Sequence, residues 1–311
     1  MKGRISSLSM LYLAEVADAG SIRLAAERLF ISPSALNRKI LLLEEQLGAA
    51  IFKRAARGVT LTGAGEIMLA AARQTERNLA TAISQVEALR GLKRGHVNFG
   101  TLTGFAEKAV PELLAAWRVS HPEVTFNFYA GNSRDIVQQV LEGRLDLGLC
   151  WDPPSSTPVR RVASADIPIG VAMQPDHPLA ARKKVRLREC LEYAVVFPSR
   201  GMEFRTVLDR INIGIESRVT PAVEVNSIAA LRQLALIGND LVLITANSVI
   251  DEIEAGTIVL RPLEDPGCDL LKLSLFTKDS DSLPAVADVV IAGLERELGM
   301  IRERVAGIYS A

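Results

Sequence analysis

The stretch LFISPSALNRKI, Leu29–Ile40, decides how this chain is read. A serine followed by a proline is a helix start: Ser32 can cap the free N–H groups, and Pro33 sits at the first helical position, where its missing N–H costs nothing. From there Leu36, Ile40, Leu43 and Leu47 form one stripe, while Ser34, Asn37, Arg38 and Leu41 fall on the opposite side. The leucines predict burial. The opening turns carry hydroxyls, an amide and cations on the exposed side, a set suited to a polar, anionic surface.

Upstream, Leu8, Leu11, Tyr12 and Val16 recur at helical spacing, and Gly20 is a stop for that helix. Ser21 can cap a second, short helix whose Ile22, Ala25, Ala26 and Leu29 share one face, with the alanines permitting close approach. A short helix, a tight turn at Phe30 and Ile31, and a helix with an exposed polar start describe a helix-turn-helix, whose second helix enters the DNA major groove. Asn37 suits adenine, Arg38 suits guanine or a phosphate, and Ser32 and Ser34 suit phosphates at a helix N-terminus. An ordinary solvated helix face gives the same pattern, so the next segment decides between them. Gly48 ends the helix, and IFKRAARGVTLT (Ile51–Thr62) reads as two short strands turning at Ala56-Arg57-Gly58. Lys53, Arg54 and Arg57 cluster at that tip, placed as a wing for sequence-independent phosphate contacts.

With these residues in hand, Ser21–Glu66 resembles the winged helix-turn-helix of LysR-type transcriptional regulators. The matching features are Ala25-Ala26, Leu29, Ser32, Ile40, the Leu43-Glu44 to Leu47-Gly48 ending, Phe52, Arg54, and Leu61-Thr62 followed by Gly65. Two features depart from the family. Asn37 stands where serine is frequent, and Leu41-Leu42 where charged or polar residues are frequent; Leu41 could touch a thymine methyl or cover the wing, and covering is the favoured reading. The candidate DNA contacts are Ser21, Ser32, Pro33, Ser34, Asn37, Arg38, Lys53, Arg54 and Arg57. The resemblance implies double-stranded DNA with a two-fold-related promoter site, RNA polymerase, and self-association as a dimer or tetramer.

Thr62 can cap a long helix from about Ala64 to Leu89, in which Met68, Ala72, Thr75, Leu79, Ala82, Val86 and Leu89 form a heptad seam. Its small residues make it marginal alone, so it packs on its own first helix or on a second subunit; the resemblance implies the dimer. RGLKRG (Arg90–Gly95) reads as a basic hinge. Beyond it HVNFGTL, a helix from near Ala106, VTFNFYAG, a helix over about 132–142, and LDLGLCW give a βαβαβ series, predicting a largely parallel sheet under helices. IPIGVAM, YAVVFPS, AVEVNS, DLVLITA, TIVLRPL and LLKLSLFTK follow as further strands.

The fold class expected is α/β, with an N-terminal winged helix-turn-helix (1–62), a linker helix (63–90), and a two-lobe effector domain (91–311). The resemblance implies that this last part is similar to periplasmic solute-binding proteins, with crossovers near Ala163–Pro168 and Pro262–Asp269. Lobe 1 then takes about 95–165 and 267–311, and lobe 2 about 166–266. Ligands of open α/β sheets gather at the carboxyl ends of strands. Those ends carry Thr101, Thr103, Asn132, Ser133, Trp151, Phe197, Ser199, Arg200, Asn226 and Ser227, the candidate contacts of a small-molecule effector, a carboxylate or another anion. Taken singly, each hydroxyl or amide reads more readily as a helix cap and Trp151 as a packing element, while Arg205 as counter-charge, or a solvated surface role for Arg200, are equal rivals to Arg200 as counter-charge. GNDLVLIT (Gly238–Thr245) departs from the Gly-x-Gly and Leu-Pro usual in the family.

Charge is balanced, 36 basic against 36 acidic residues, yet residues 1–94 hold 14 of the basic and 8 of the acidic ones. A basic first third joined to an acidic remainder points to different partners for the two parts. No apolar run approaches the roughly 18 residues of a membrane span, and the first residues lack a signal-peptide core, so a cytoplasmic protein without membrane partners is expected. Cys150, Cys190 and Cys268 lie in no disulfide or zinc spacing, and His96, His121 and His177 in no catalytic or metal pattern. Neither a phosphate loop nor a dinucleotide fingerprint occurs. No cofactor and no catalysis are expected. The rival class, a two-lobe metabolite-binding protein or enzyme that does not bind DNA, leaves Asn37, Arg38 and the wing unexplained.

Overall fold

The computed structural model describes residues 5–55, 58–89, 94–214, 218–268, 271–279 and 283–310. These group into two compact units: Met1–Gly95 with the short pieces Leu141–Arg144 and Ser282–Ala285, and the remainder of the chain.

The first unit opens with α1 (Ser7–Ala19), α2 (Ile22–Arg28) and α3 (Pro33–Leu47), followed by the hairpin β1 (Phe52–Ala55) and β2 (Gly58–Leu61) and by the long α4 (Gly63–Leu89). Local chemistry sets each boundary. Ser6, Ser21 and Ser32 accept an N–H of the turn they precede, while Gly20 (φ 62°) and Gly48 (φ 74°) end α1 and α3 in the left-handed conformation that glycine adopts freely. Thr62 caps α4 by accepting the Gly65 N–H at 3.0 Å, and its hydroxyl donates to Ala50 O at 2.6 Å. Val16, Ala25, Ala26, Leu36 and Ile40 bury the contact of the three small helices. Leu13, Ala14, Leu43, Ile51, Met68, Leu69 and Ala72 join α1, α3 and α4. The seam of α4 therefore divides: Met68 and Ala72 are spent on α1, whereas Leu79 and Val86 remain 61% and 50% exposed. The side chain of Leu89 lies outside the described residues.

The second unit contains two five-stranded sheets. Lobe 1 is built from β3 (Gly95–Leu102), α5 (Ala109–Ser120), β4 (Val124–Gly131), α6 (Ser133–Leu141), β5 (Leu147–Trp151) and β6 (Val159–Ile167). Lobe 2 holds β7 (Ile169–Met173), β8 (Val195–Pro198), α7 (Glu203–Ile213), β9 (Val223–Val225), α8 (Ile228–Ile237), β10 (Leu241–Thr245), α9 (Ile250–Glu254) and β11 (Val259–Pro262). The chain then returns to lobe 1 with β12 (Leu271–Lys278) and α10 (Ala287–Ser310). The strand orders are β4-β3-β5-β12-β6 and β11-β7-β10-β8-β9.

Two expectations change here. The sheets are mixed, not largely parallel: β3 pairs β5 and β8 pairs both β9 and β10 in parallel, but β12 runs antiparallel to β5 and β6, and β7 antiparallel to β10 and β11. The cause is the double crossover, which brings returning strands in from the other lobe. The first crossing is also shorter than expected, because Ala163–Ile167 continues β6 in full register with Leu271–Leu275 and only Pro168 separates it from β7. Residues 166 and 167 thus belong to lobe 1. The second crossing follows Pro262; its residues 269 and 270 lie outside the described residues. In lobe 1 Phe99 contacts Trp117 edge-on at 5.7 Å, and Gly293 brings α10 so near that an added Cβ would lie 2.4 Å from the indole.

Candidate functional site

The first candidate surface is the start of α3. Ser32, Pro33, Ser34 and Arg38 are exposed, and Asn37 is half-buried. Ser32 Oγ accepts the Ala35 N–H at 3.2 Å and lies 3.2 Å from Ser34 Oγ, so the capping serine is held while the second hydroxyl stays at the surface. Ser21 is half-buried and caps α2, its oxygen facing the Leu24 N–H at 3.5 Å. Phe30, in the turn between α2 and α3, has φ 55° and is 95% exposed. Leu41 does not cover the wing as expected: it is 53% exposed, because the buried face of α3 is already filled by Leu36, Ile40 and Leu43.

Among the described residues of the unit, charge sets apart the cations of α3 and the wing. Arg23 pairs Glu27, Arg28 pairs Glu15, and Arg73 pairs Asp18, which neutralises those cations. Arg38, Lys39 and Lys53 are exposed and make no ion pair among the described residues. The hairpin that carries Lys53 is fixed from three sides. The Glu44 carboxylate of α3 accepts the N–H groups of Ile51 (2.7 Å) and Phe52 (3.1 Å). Val59 N–H donates to Gly20 O at 2.9 Å, an approach so close that a Cβ on Gly58 would meet that oxygen at 2.2 Å. Thr62 closes the hairpin's exit. Arg54 lies in β1, paired in register with Val59; its side chain and the whole of Arg57 lie outside the described residues. Glu44 had no role in the sequence reading beyond its place in a motif; its spacing from the β1 start is the signal that was there.

The second candidate is a cleft of about 420 Å³ between the two lobes of the second unit. Every contributing segment ends or follows a strand: Leu102–Phe105 at the end of β3, Gly131 and Asn132 at the end of β4, Trp151 ending β5, Arg200–Phe204 after β8, Asn226 and Ile228 after β9, and Thr245, Asn247 and Ser248 at the end of β10. Thr103, Asn132, Trp151, Arg200 and Asn226 of the expected residues thus line one cavity. The others stand elsewhere. Thr101 and Phe197 are fully buried within strands, Thr101 donating to Leu102 O (3.1 Å) and Phe197 lying under the Arg205 guanidinium at 5.1 Å. Ser227 caps α8, and Ser199 is held by its own backbone to Val225 O at 2.7 Å. Ser133 opens α6 with its N–H given to Glu203 and its buried Oγ without a partner among the described residues. Arg205 is no rival to Arg200: it is buried and committed to Pro198 O (2.6 Å), Asp209 (2.7 Å) and Glu224 (3.1 Å). The sequence reading missed Met202, Glu203, Phe204, Asn247 and Ser248.

Ion pairs join the lobes beside this cleft. Lys108 reaches Asp251 at 2.6 Å, Arg304 reaches Asp251 (2.5 Å) and Glu254 (2.7 Å), and Arg232 reaches Glu107 (2.5 Å). Arg304 and Lys108 hold the Asp251 carboxyl below its ordinary range through these hydrogen bonds. Behind them Glu297 is pushed the other way, burial raising its carboxyl with Glu112 and Asp251 adding to the effect, against Arg304 and Lys108. Burial also pushes the Cys150 and Cys190 thiols up to about 12, which keeps both protonated and unreactive. No group of metal-holding side chains occurs among the described residues.

A winged helix-turn-helix followed by a two-lobe α/β domain with an inter-lobe cleft defines a ligand-responsive DNA-binding regulator. Residues 9–66 match the bacterial regulatory helix-turn-helix protein, lysR family, and residues 90–299 match the LysR substrate binding domain. The chain belongs to the LysR family of transcriptional regulators. It is 28% identical over 289 residues to the HTH-type transcriptional regulator CbbR of Xanthobacter flavus, covering 92% of this chain and 86% of that one. It is 28% identical over 263 residues to the regulator BbuR of Bordetella bronchiseptica, covering 85% and 81%. A full-length OxyR variant from Pseudomonas aeruginosa has the same fold (TM-score 0.70, 20% identity, 94% and 95% covered). So does full-length CbnR complexed with its target DNA (TM-score 0.57, 21% identity, 94% and 99% covered).

Proposed function

We propose that this regulator reads a two-fold-related promoter site with the start of α3, with Lys53, Arg54 and Arg57 of the wing on phosphates, and that it does so as a dimer or dimer of dimers. The observation that carries the reading is the contrast in charge: Arg38 and Lys39 of α3 and Lys53 of the wing make no ion pair among the described residues, while Arg23, Arg28 and Arg73 are paired within the same unit. Unpaired cations beside exposed hydroxyls release counter-ions on meeting phosphates, and the amide and guanidinium add base contacts. Self-association is supported by a groove of about 290 Å³ between α1 and α4, lined by Leu8, Met10, Leu11 and Leu79, in which three large apolar side chains are left at the surface.

The inter-lobe cleft takes a small effector with a carboxylate or another anionic group, its counter-charge Arg200, the one cation among the lining residues. Effector binding biases the relative position of the lobes, the inter-lobe ion pairs give that equilibrium its threshold, and the shift changes how the DNA-reading heads engage promoter and RNA polymerase. The protein acts by binding and not by catalysis, without a resident cofactor. It works in the cytoplasm, away from membranes; no helix among the described residues is long and apolar enough to cross one. The test is fluorescence anisotropy of the full-length protein on DNA from just upstream of its own coding region, beside a shuffled duplex, across a salt series. Preference for the native fragment that survives at physiological salt is expected. Absence of binding to any duplex would return the chain to a metabolite-binding role alone.

A further inference from the structure

The effector cleft already contains a carboxylate. Glu203, the first residue of α7 in lobe 2, crosses to lobe 1, where its Oε1 accepts the Ser133 N–H at 2.9 Å. Ser133 is the first residue of α6, whose cap is otherwise supplied locally: Asn132 accepts the Asp135 N–H at 2.9 Å and its amide donates to Asp135 at 2.8 Å. An outward-facing first N–H at a helix start is a natural seat for an anion. In the same turn Ser133 Oγ is buried, 7% exposed, with no partner among the described residues. Arg200, on the loop leading into α7, lines the same cleft and pairs with nothing among them either. The cleft thus holds one carboxylate that is tied down and one guanidinium that is free.

We propose that Glu203 is a tethered stand-in for a ligand carboxylate, filling the α6 seat, holding lobe 2 to lobe 1 in the ligand-free protein, and leaving an incoming anion to Arg200. This rests on the reading of the cleft as the effector site. A tethered group competes at an effective concentration on the order of millimolar or above, so a free carboxylate is excluded from the seat at ordinary metabolite levels. A carboxylate has about four lone-pair sites, and the seat consumes one of them. The ligand class that gains most is therefore one with an anionic group for Arg200 and a hydroxyl or ammonium donor for the remaining lone pairs of Glu203. A ligand that brings a second carboxylate to this point is selected against.

The experiment uses the full-length protein and acetate as probe, with thermal unfolding followed against chloride at matched ionic strength and pH 7. The parent, whose seat is filled, should show only the weak acetate effect that Arg200 alone gives. Glu203→Ala should melt lower and be restored by acetate at a concentration at least tenfold below any acetate effect on the parent. Glu203→Gln keeps an acceptor without the charge and should be acetate-sensitive at an intermediate concentration, which carries the test if the alanine variant fails to fold. In the double variant Glu203→Ala with Ser133→Pro, restoration should vanish, since proline fits the first helical position but removes the N–H. Acetate indifference in the Glu203 variants, or restoration that survives Ser133→Pro, overturns the proposal. Restoration through Ser133 in a protein whose DNA affinity no small molecule alters leaves the seat standing and removes the effector reading instead.

Discussion

Replacing Glu44 by alanine tests how the wing is held. One carboxylate oxygen accepts the Ile51 N–H at 2.7 Å and the Phe52 N–H at 3.1 Å, at the point where the chain leaves α3 for β1. Ile51 is fully buried, so water cannot replace the lost acceptor there, whereas half-buried Phe52 is partly rehydrated. Hydrogen bonds to a charged group contribute about 1.5–3 kcal/mol each, and with one donor stranded and one partly rescued Glu44→Ala should cost about 2–4 kcal/mol. That is within the ~5–15 kcal/mol stability of a typical domain, so the variant folds. Glu44→Gln keeps an acceptor oxygen in place and should cost roughly half as much. Hydrogen exchange read by mass spectrometry over the β1–β2 hairpin is the assay. The alanine variant should lose about 30- to 1,000-fold of protection at the hairpin, the factor that 2–4 kcal/mol represents. With the wing on phosphates, as proposed above, affinity for native and shuffled duplexes should fall together. Protection within threefold of the parent, or a glutamine variant as damaged as the alanine one, would falsify the anchoring role.

On the DNA face, Lys53→Ala should weaken all duplexes alike and flatten the dependence of log K on log salt by about 0.9, whereas Arg38→Ala should also relax preference at one base pair; equal slopes for Lys53→Ala and the parent would remove it from the contact set. Phe30 holds a left-handed backbone with its ring in solvent, so Phe30→Asn should stabilise the first unit by about 0.5–1 kcal/mol, seen as a higher melting temperature, and a lower one contradicts the strain. Arg205→Leu strands Pro198 O and uncouples Asp209 and Glu224, and should cost about 2–4 kcal/mol in denaturant unfolding of the second unit; a loss under 1 kcal/mol would show those partners fully rehydrated. Glu297 has its carboxyl raised by burial, so the native state holds its proton more tightly than the unfolded chain and stability falls as pH rises above the ordinary value of 4.5. Glu297→Gln should remove that decline and raise the melting temperature at pH 7; an unchanged pH profile counts against it.

What could be read from the sequence divides by the distance over which each interaction acts. The helix starts at Ser21, Ser32 and Thr62 and the stops at Gly20 and Gly48 depend on groups within a few residues, and the structure places all five as caps. Strand β6 escaped because its partner β12 arrives more than a hundred residues later, and because Arg160 and Arg161 break the apolar run that marks a buried strand. In the cleft, the candidates came from strand ends, and the pleat decided among them: Thr101 and Phe197 turn inward and are lost to the core, while Thr103 and Arg200, just beyond the strands, reach the cavity. Glu203 was invisible for the same reason as β6. Its partner Ser133 lies 70 residues earlier, in the other lobe, and nothing in the local pattern EFRTVLDR distinguishes that glutamate from any acidic residue favoured in a first helical turn. Family membership therefore supplies the frame, which local signals carry, whereas cross-lobe contacts such as Glu203 to Ser133, on which the proposed selection among effectors rests, are brought together only by the folded arrangement.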